Sequence, residues 1–90
     1  MRRRRIIHGV DGPQPAIVAA LRKAGRSVDV IGDPVDLLVG WPGNNLLMEV
    51  KAEKGELTEA QEEFFATWKG PKCVVRSVDE ALRATGIRAA

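Results

Sequence analysis

The chain has 90 residues, the length of a single domain whose small core would benefit from a partner or a bound ion. Hydrophobic residues make up 44% and charged residues 29%, as in an ordinary soluble globular domain. No apolar run approaches the roughly 20 residues that span a bilayer, and no apolar signal segment follows the N-terminus. Cys73 is the single cysteine, which excludes an intramolecular disulfide. We therefore expect a cytoplasmic protein without a membrane partner.

The net charge of +2 is unevenly distributed along the chain. Six acidic side chains lie within residues 49–63. The N-terminus instead carries an uninterrupted basic run, which consists of Arg2, Arg3, Arg4 and Arg5. We interpret residues 1–12 as a basic arm that can contact nucleic-acid phosphates, with a solvated, disordered tail as the equal alternative. Residues 13–90 are interpreted as one domain.

The first half of the chain predicts one helix and two strands. A helix is expected over 13–25, because apolar residues recur from Ile17 onward with the i, i+3, i+4, i+7 spacing of one helix face. Alternating valines predict a strand over 27–31, and a turn is expected at 32–34. A second strand is predicted over 35–39.

The second half predicts two strands and two helices. A segment dense in turn residues, 40–44, is expected to be a loop before a third strand over 46–51. A helix over 58–68, a strand over 72–76 and a helix from Ser77 through Arg83 complete the chain. The order α-β-β-β-α-β-α predicts an α/β domain with a mixed central sheet flanked by helices.

Two acidic side chains are predicted to face each other across the central hairpin. If Pro42-Gly43 is the centre of the connection, the position numbers of facing residues sum to 85, which pairs Asp36 with Glu49. Directly opposite residues share a face, with Cβ atoms roughly 4.5–5.5 Å apart. Side chains alternate along a strand, so Lys51 points to the same face as Glu49.

This cluster of two acids and a lysine indicates metal-dependent chemistry on a phosphodiester. Adjacent carboxylates repel each other unless a cation lies between them, and Mg²⁺ prefers one or two carboxylates together with water and substrate phosphate. Lys51 would orient the attacking water or stabilise developing negative charge. The alternative is that Glu49 and Lys51 are ordinary solvent-face residues, because a Glu-x-Lys triplet alone is a weak signal.

Three segments extend this pattern, namely VDLLVG at 35–40, LMEVK at 47–51 and GELTEAQ at 55–61. Together they resemble the VRR-NUC branch of the PD-(D/E)XK nuclease superfamily. They are similar to its small stand-alone phage and bacterial members and, more distantly, to archaeal Holliday junction resolvases. The resemblance covers nearly all of the chain, since the order of elements also matches.

The resemblance implies a restriction-endonuclease-like core and an Mg²⁺- or Mn²⁺-dependent endodeoxyribonuclease. It implies that Asp36, Glu49 and the main-chain carbonyl of Val50 bind the metal. Lys51 would position the nucleophilic water, and Gln61 would lie on a helix facing the site. It further implies DNA as the partner, with branched or junction structures as the preferred substrate, and a homodimer.

The sequence supports the position of Gln61 independently. Gln61 lies four residues after Leu57 and four before Phe65, on the apolar side of the predicted helix. A polar group there needs a partner or a function. The alternative is that Gln61 completes a capping box with Thr58, and the two interpretations can coexist.

The chain departs from the superfamily on the first helix. Many members carry a metal-binding glutamate there, whereas this chain has none, and Gln14 or Asp11 are the candidate substitutes. The superfamily proline is also shifted, since Val35 precedes Asp36. Two rival functions therefore stand beside the nuclease. One is a binding module that holds DNA without cutting, and the other is a structural protein whose acids are surface charges.

The remaining candidates are weaker. His8 is the only histidine and lacks partners for a catalytic triad or a zinc site. Trp41, at a turn, is expected to be a hydrophobic cover, although stacking on a base or a dimer contact is the alternative. Trp68, at helical spacing from Phe64, is expected in the core.

Overall fold

A computed structural model of the chain describes residues 12–88. Within this range the elements are α1 (Gln14–Lys23), β1 (Ser27–Val30), β2 (Leu37–Trp41), β3 (Asn44–Val50), α2 (Glu59–Thr67), β4 (Lys72–Val75) and α3 (Val78–Ala84). The predicted order of elements is therefore confirmed. None of the three described helices is long and apolar enough to cross a membrane. Several residues considered above lie outside the described range, namely Arg2, Arg3, Arg4, Arg5, His8 and Asp11.

The four strands form one mixed sheet in the order β1-β2-β3-β4. β1 and β3 both run antiparallel to β2, whereas β3 and β4 are parallel. Parallel neighbours need a crossover connection, which α2 and its flanking loops provide. The α/β class with a mixed central sheet and flanking helices is thus confirmed.

The β2–β3 hairpin is tighter than predicted. The expected loop over 40–44 is wrong, because Gly40 pairs with Asn45 and Trp41 pairs with Asn44. Only Pro42-Gly43 remains as the connection, and Gly43 has φ +79°, a value that glycine adopts without a steric penalty. A high density of turn residues predicted a longer loop, but proline followed by glycine reverses the chain in two residues.

The core lies on one face of the sheet, between the sheet and helices α1 and α3. Alternation along the strands places one set of apolar side chains on this face, and helical residues pack against them. The buried cluster contains Ile17, Leu21, Leu37, Val39, Leu46, Met48, Val75 and Ala81. The same alternation puts Glu49 on the opposite face, where α2 lies.

Helix α2 packs less tightly than the other two helices. None of its residues is buried, and the contacts of Gln61 with the sheet are polar. The expectation that Trp68 belongs to the core is wrong, because 45% of this residue is exposed. Helical spacing correctly placed Trp68 beside Phe64, whose ring stacks on it at 5.4 Å, but spacing does not show how much of the indole the rest of the fold covers.

Arg26 joins the two helices of the core face to the hairpin. Its Nε atom donates to Thr85 Oγ1 at 3.2 Å, its Nη2 atom donates to the Thr85 carbonyl, and its guanidinium lies 5.1 Å from the Trp41 ring centroid. Thr85 is fully buried, so its polar atoms depend on protein partners.

Replacing Arg26 with methionine is expected to lower the free energy of unfolding by about 2 kcal/mol, because it removes the donor to the buried Thr85 carbonyl and the cation–π contact with Trp41. Urea denaturation measures the change. The control is Arg22→Met, which removes one exposed bond to the Val28 carbonyl at 2.8 Å and is expected to cost about 0.5 kcal/mol or less. Equal losses in both variants would contradict a special role for Arg26.

Candidate active site

The register of the central hairpin brings the two predicted acids together. Leu37 pairs with Met48, so facing positions sum to 85 as the sequence predicted. The next position toward the site brings Asp36, directly before β2, beside Glu49 near the end of β3. The ladder therefore ends in a pair of carboxylates.

The two acids are locked by reciprocal hydrogen bonds to main-chain groups. The Asp36 N–H donates to Glu49 Oε1 at 3.2 Å, and the Val50 N–H donates to Asp36 Oδ2 at 2.9 Å. On the other side, the Asp36 carbonyl accepts from the N–H groups of Ile31 and Gly32. At Asp36, hydrogen bonds between side chains and main-chain N–H groups take the place of the main-chain bonds that pair β2 with β3. Strand β2 therefore begins at residue 37 rather than at the predicted residue 35.

Glu49 is a buried acid with a perturbed pKa. Only 3% of the residue is exposed. Burial raises the pKa of Glu49 because it disfavours the charged carboxylate, and the negative charge of Asp36 raises it further. Lys51 acts in the opposite direction, since its Nζ atom lies 3.6 Å from Glu49 Oε2. The net result is a pKa of about 7, so the site changes charge near neutral pH.

Gln61 links helix α2 to this acid. Its Oε1 atom accepts from the Thr58 N–H at 2.9 Å, and its Nε2 atom donates to Glu49 Oε2 at 2.9 Å. The Thr58 N–H can only donate, so the amide oxygen must face it and the amide NH₂ must face Glu49. The two interpretations of Gln61 therefore hold together, because one side chain completes the capping box and contacts the site.

Sequence reasoning missed Arg76, which organises the loop after Lys51. The Arg76 Nη1 atom donates to the carbonyl of Ala52 at 2.9 Å, of Glu53 at 3.4 Å and of Gly55 at 2.5 Å. Arg76 lies beside Lys51 because β3 and β4 are parallel and in register. The contacts are 21 to 24 residues apart, so no local pattern signals them. A lone arginine directly after an apolar strand was the one available hint.

Gln14 is not joined to the acid pair. It lies at the start of α1, is 8% exposed and shares the buried helix face with Ile17 and Leu21. Its side chain forms no hydrogen bond within residues 12–88. Helix α1 packs on the core face of the sheet, opposite to Glu49. The described part of the chain therefore gives no contact by which Gln14 substitutes for the missing first-helix glutamate.

The oxygen donors at this site suit a hard cation, although they are few. Among residues 12–88, no group of three or more His, Cys, Asp or Glu side chains is arranged to hold a metal ion. Asp36 and Glu49 supply two neighbouring carboxylates, and Mg²⁺ needs only one or two together with water and phosphate. Burial and, second to it, repulsion from Asp36 raise the pKa of Glu49, and a bound cation would offset both by favouring the charged carboxylate. The residues present thus fit Mg²⁺ or Mn²⁺.

The bond from Gln61 to Glu49 can be tested without disturbing the helix cap. In Gln61→Glu the carboxylate still accepts from the Thr58 N–H, because glutamate is an equally good capping-box residue. It places an acceptor where Glu49 now receives a donor, so the pKa of Glu49 is expected to rise above its present value of about 7. A carboxyl ¹³C NMR titration measures this pKa.

Thr58→Ala is the matched control. It removes the hydroxyl that accepts from the Gln61 N–H at 3.2 Å, which weakens the cap by about 1 kcal/mol. The titration of Glu49 is expected to stay where it is in the wild type. An unchanged titration in Gln61→Glu would show that the amide does not hold the Glu49 carboxylate in solution.

Comparison of the chain with protein-family models, curated proteins and solved structures finds no match.

Proposed function

We propose that this protein is a metal-dependent DNA nuclease whose active site is built from Asp36, Glu49 and Lys51. The observation that supports it most is the buried Glu49 carboxylate, held beside Asp36 and 3.6 Å from the Lys51 ammonium. A carboxylate as deeply buried as that of Glu49 is costly to desolvate unless a cation or hydrogen-bond donors accompany it. A strongly perturbed pKa at such a cluster favours a functional site over a structural one.

The cation proposed for this site is Mg²⁺ or Mn²⁺, held by Asp36, Glu49 and the Val50 carbonyl. In a strand, the N–H and C=O of one residue point to the same side. The Val50 N–H points to Asp36, and the Lys51 N–H points away to the Val75 carbonyl at 3.0 Å. The Val50 carbonyl is thus expected on the side of the acid pair. A bound divalent ion offsets negative charge on the phosphodiester and lowers the pKa of water.

The protein's own side chains complete the chemistry. Lys51 stabilises negative charge that develops on the phosphate and orients the attacking water. Its position is fixed by the ion pair with Glu49 and by the loop that Arg76 holds. Gln61 holds Glu49 Oε2 in place through its amide NH₂, which makes Gln61 a positioning residue.

The proposal extends to substrate and assembly through the resemblance to the VRR-NUC branch of the PD-(D/E)XK superfamily. We assign the sheet and helices to a restriction-endonuclease-like core, the substrate to branched or junction DNA, and the assembly to a homodimer with two active sites. The basic run Arg2, Arg3, Arg4 and Arg5 would add phosphate contacts. These assignments rest on the motifs around Asp36, Glu49 and Gln61.

A second candidate is a DNA-binding module of the same fold that does not cut. The observation that favours it is that, within residues 12–88, Gln14 has no contact with the acid pair and α1 supplies no third ligand. A site with two carboxylates binds metal more weakly than a site with three. This candidate predicts DNA binding that persists without metal and no cleavage at any metal concentration.

The deciding experiment is cleavage of a labelled panel of single-stranded, duplex, flap and four-way junction DNA. Each substrate is incubated with Mg²⁺, with Mn²⁺ or with a chelator. Cleavage that requires the metal supports the nuclease, and the panel ranks its substrates. Binding to these DNAs without any cleavage would favour the binding module. If the protein neither binds nor cuts any of these DNAs, Asp36 and Glu49 would be structural charges.

A further inference from the structure

Trp68, directly after helix α2, presents an exposed aromatic ring. The residue is 45% exposed, whereas Phe64 and Phe65 are half-buried. The Phe64 ring is stacked on the indole, with centroids 5.4 Å apart and planes inclined by 22°. Phe64 therefore lies against one face of the indole, and 45% of Trp68 remains exposed for contact with a ligand.

The indole is held in a fixed position. A Cβ atom at Gly70 would lie 2.8 Å from Trp68 Nε1, so the Gly70 backbone packs directly against this edge of the ring. The Trp68 carbonyl accepts from Lys72 Nζ at 2.7 Å, and Phe65 contacts Phe64 edge to face at 5.8 Å. A ligand that stacks on this ring would therefore pay little entropy to order it.

The exposed ring lies on the helix face that begins at the candidate active site. Gln61, Phe64, Phe65 and Trp68 have the i, i+3, i+4, i+7 spacing of one face. Gln61 contacts Glu49, and seven residues of helix span about 10 Å. The exposed acids of α2 fall on the opposite side of the helix, at Glu59, Glu62 and Glu63.

Two cations accompany the ring. Lys69 is exposed, and Lys72 is half-buried, with its ammonium at the Trp68 carbonyl. An ammonium has three donors, so Lys72 retains donors for a phosphate. An aromatic face flanked by lysines matches the chemistry by which proteins hold single-stranded nucleic acid. Paired bases already stack on their neighbours, so such a ring selects bases that are unpaired.

We propose that Trp68 stacks on an unpaired nucleobase of the DNA, with Lys69 and Lys72 contacting the adjoining phosphates. The proposal rests on the proposed nuclease function for its placement. The axial rise of about 10 Å from Gln61, which contacts Glu49, to Trp68 corresponds to the length of about three stacked nucleotides. The substrate class is then DNA with a single-stranded tail or gap beside the cutting position.

Binding is measured in chelator, so that no DNA is cut. The protein carries Trp41→Phe, which leaves Trp68 as its single tryptophan and fluorophore. Short oligothymidylate, a blunt duplex and a duplex with a single-stranded tail are titrated in turn. We expect oligothymidylate and the tailed duplex to quench the Trp68 fluorescence and the blunt duplex to leave it nearly unchanged.

Substitutions at position 68 then separate stacking from a structural contribution. In the otherwise wild-type chain and in chelator, Trp68→Ala is expected to weaken binding of the tailed duplex roughly 5- to 150-fold, as measured by fluorescence anisotropy of labelled DNA. Trp68→Phe should recover part of the affinity, because it retains an aromatic face. Trp41→Phe is the matched control, since the Trp41 ring already lies against Arg26. Thermal melting verifies that each variant is folded.

The outcomes distinguish this proposal from the proposed function. Binding of tailed DNA that depends on Trp68, in a protein that cuts nothing, would retain the stacking site and reject the nuclease. Metal-dependent cleavage that is unaffected by Trp68→Ala, with equal affinity for every DNA, would retain the nuclease and overturn the stacking site. A loss of self-association in Trp68→Ala, with unchanged DNA affinity, would also overturn it and identify this surface as a contact between two copies.

Discussion

Replacing Lys51 with methionine is expected to reduce metal-dependent DNA cleavage about 10²- to 10³-fold. Methionine keeps most of the aliphatic stem but removes the ammonium that lies 3.6 Å from Glu49 Oε2. The lost charge would otherwise stabilise the phosphate as negative charge develops during attack. Cleavage rates at saturating Mn²⁺ measure the effect, because saturation separates the chemical step from metal affinity.

The control for Lys51→Met is Lys54→Met, which removes an exposed lysine from the following loop. Its cleavage rate is expected to stay within about twofold of the wild type, since an exposed charge in that loop contributes little.

Lys51→Met has a second consequence, because Lys51 lowers the pKa of Glu49. The variant should therefore need a higher pH to ionise Glu49. If raising the pH well above 7 restored the full wild-type rate, Lys51 would act only by keeping Glu49 charged, and a direct role on the phosphate would be rejected.

The wild-type protein is expected to lose stability as the pH rises from 4.5 to about 7, because Glu49 carries a raised pKa when folded. In the unfolded chain Glu49 ionises near 4.5, whereas in the folded protein it stays protonated up to about 7. The unfolded state thus binds fewer protons in this window, so the free energy of unfolding falls with pH. A shift of this size corresponds to about 3 kcal/mol in total.

Urea denaturation across this pH range, with Glu49→Gln as the comparison, isolates this acid from the other carboxylates. The amide cannot ionise, so the difference in stability between the two proteins should change with pH and level off above pH 7. The relevant quantity is the pH dependence of that difference, because the amide also disturbs the bonds to Asp36 and Gln61. A constant difference across the range would contradict the raised pKa of Glu49.

Mg²⁺ is also expected to change the pH dependence of the free energy of unfolding. A cation between Asp36 and Glu49 binds the ionised form, so it should stabilise the wild-type protein more above pH 7 than below it. Glu49→Gln should gain little from Mg²⁺ at any pH. Equal stabilisation of both proteins would place metal binding elsewhere in the molecule.

Local sequence patterns were sufficient to predict the order of elements and the register of the hairpin. Periodicity and capping residues indicated each helix and strand, because these signals are local. The centre of the hairpin at Pro42-Gly43 was sufficient to pair Asp36 with Glu49, since strand pairing is a matter of counting once the turn is known. The boundaries of β2 and β3 were less accurate, because Gly40 and Asn44 continue the ladder despite their turn propensity.

Local patterns could not predict how the two acids are held or which residues cover them, because both depend on contacts between separate segments of the chain. The reciprocal bonds between Asp36 and the Glu49–Val50 segment depend on the twist and spacing of two strands, which no local pattern encodes. The burial that raises the pKa of Glu49 depends on the packing of an entire domain. The hydrogen bonds from Arg76 to the loop after Lys51 likewise require β4 to lie beside β3 after the crossover through α2.

Trp68 and Gln61 show which features of α2 the sequence predicts and which depend on the packing of the helix. Helical spacing placed both residues on the apolar face of α2, Gln61 through Phe65 and Trp68 through Phe64, because 3.6 residues make one turn. Spacing cannot tell where the surface beneath that face ends, since this depends on how far the sheet extends under the helix. Gln61 contacts Glu49, whereas 45% of Trp68 is exposed. The position of a helix on its sheet is a property of packing, so it appears only when the chain is folded.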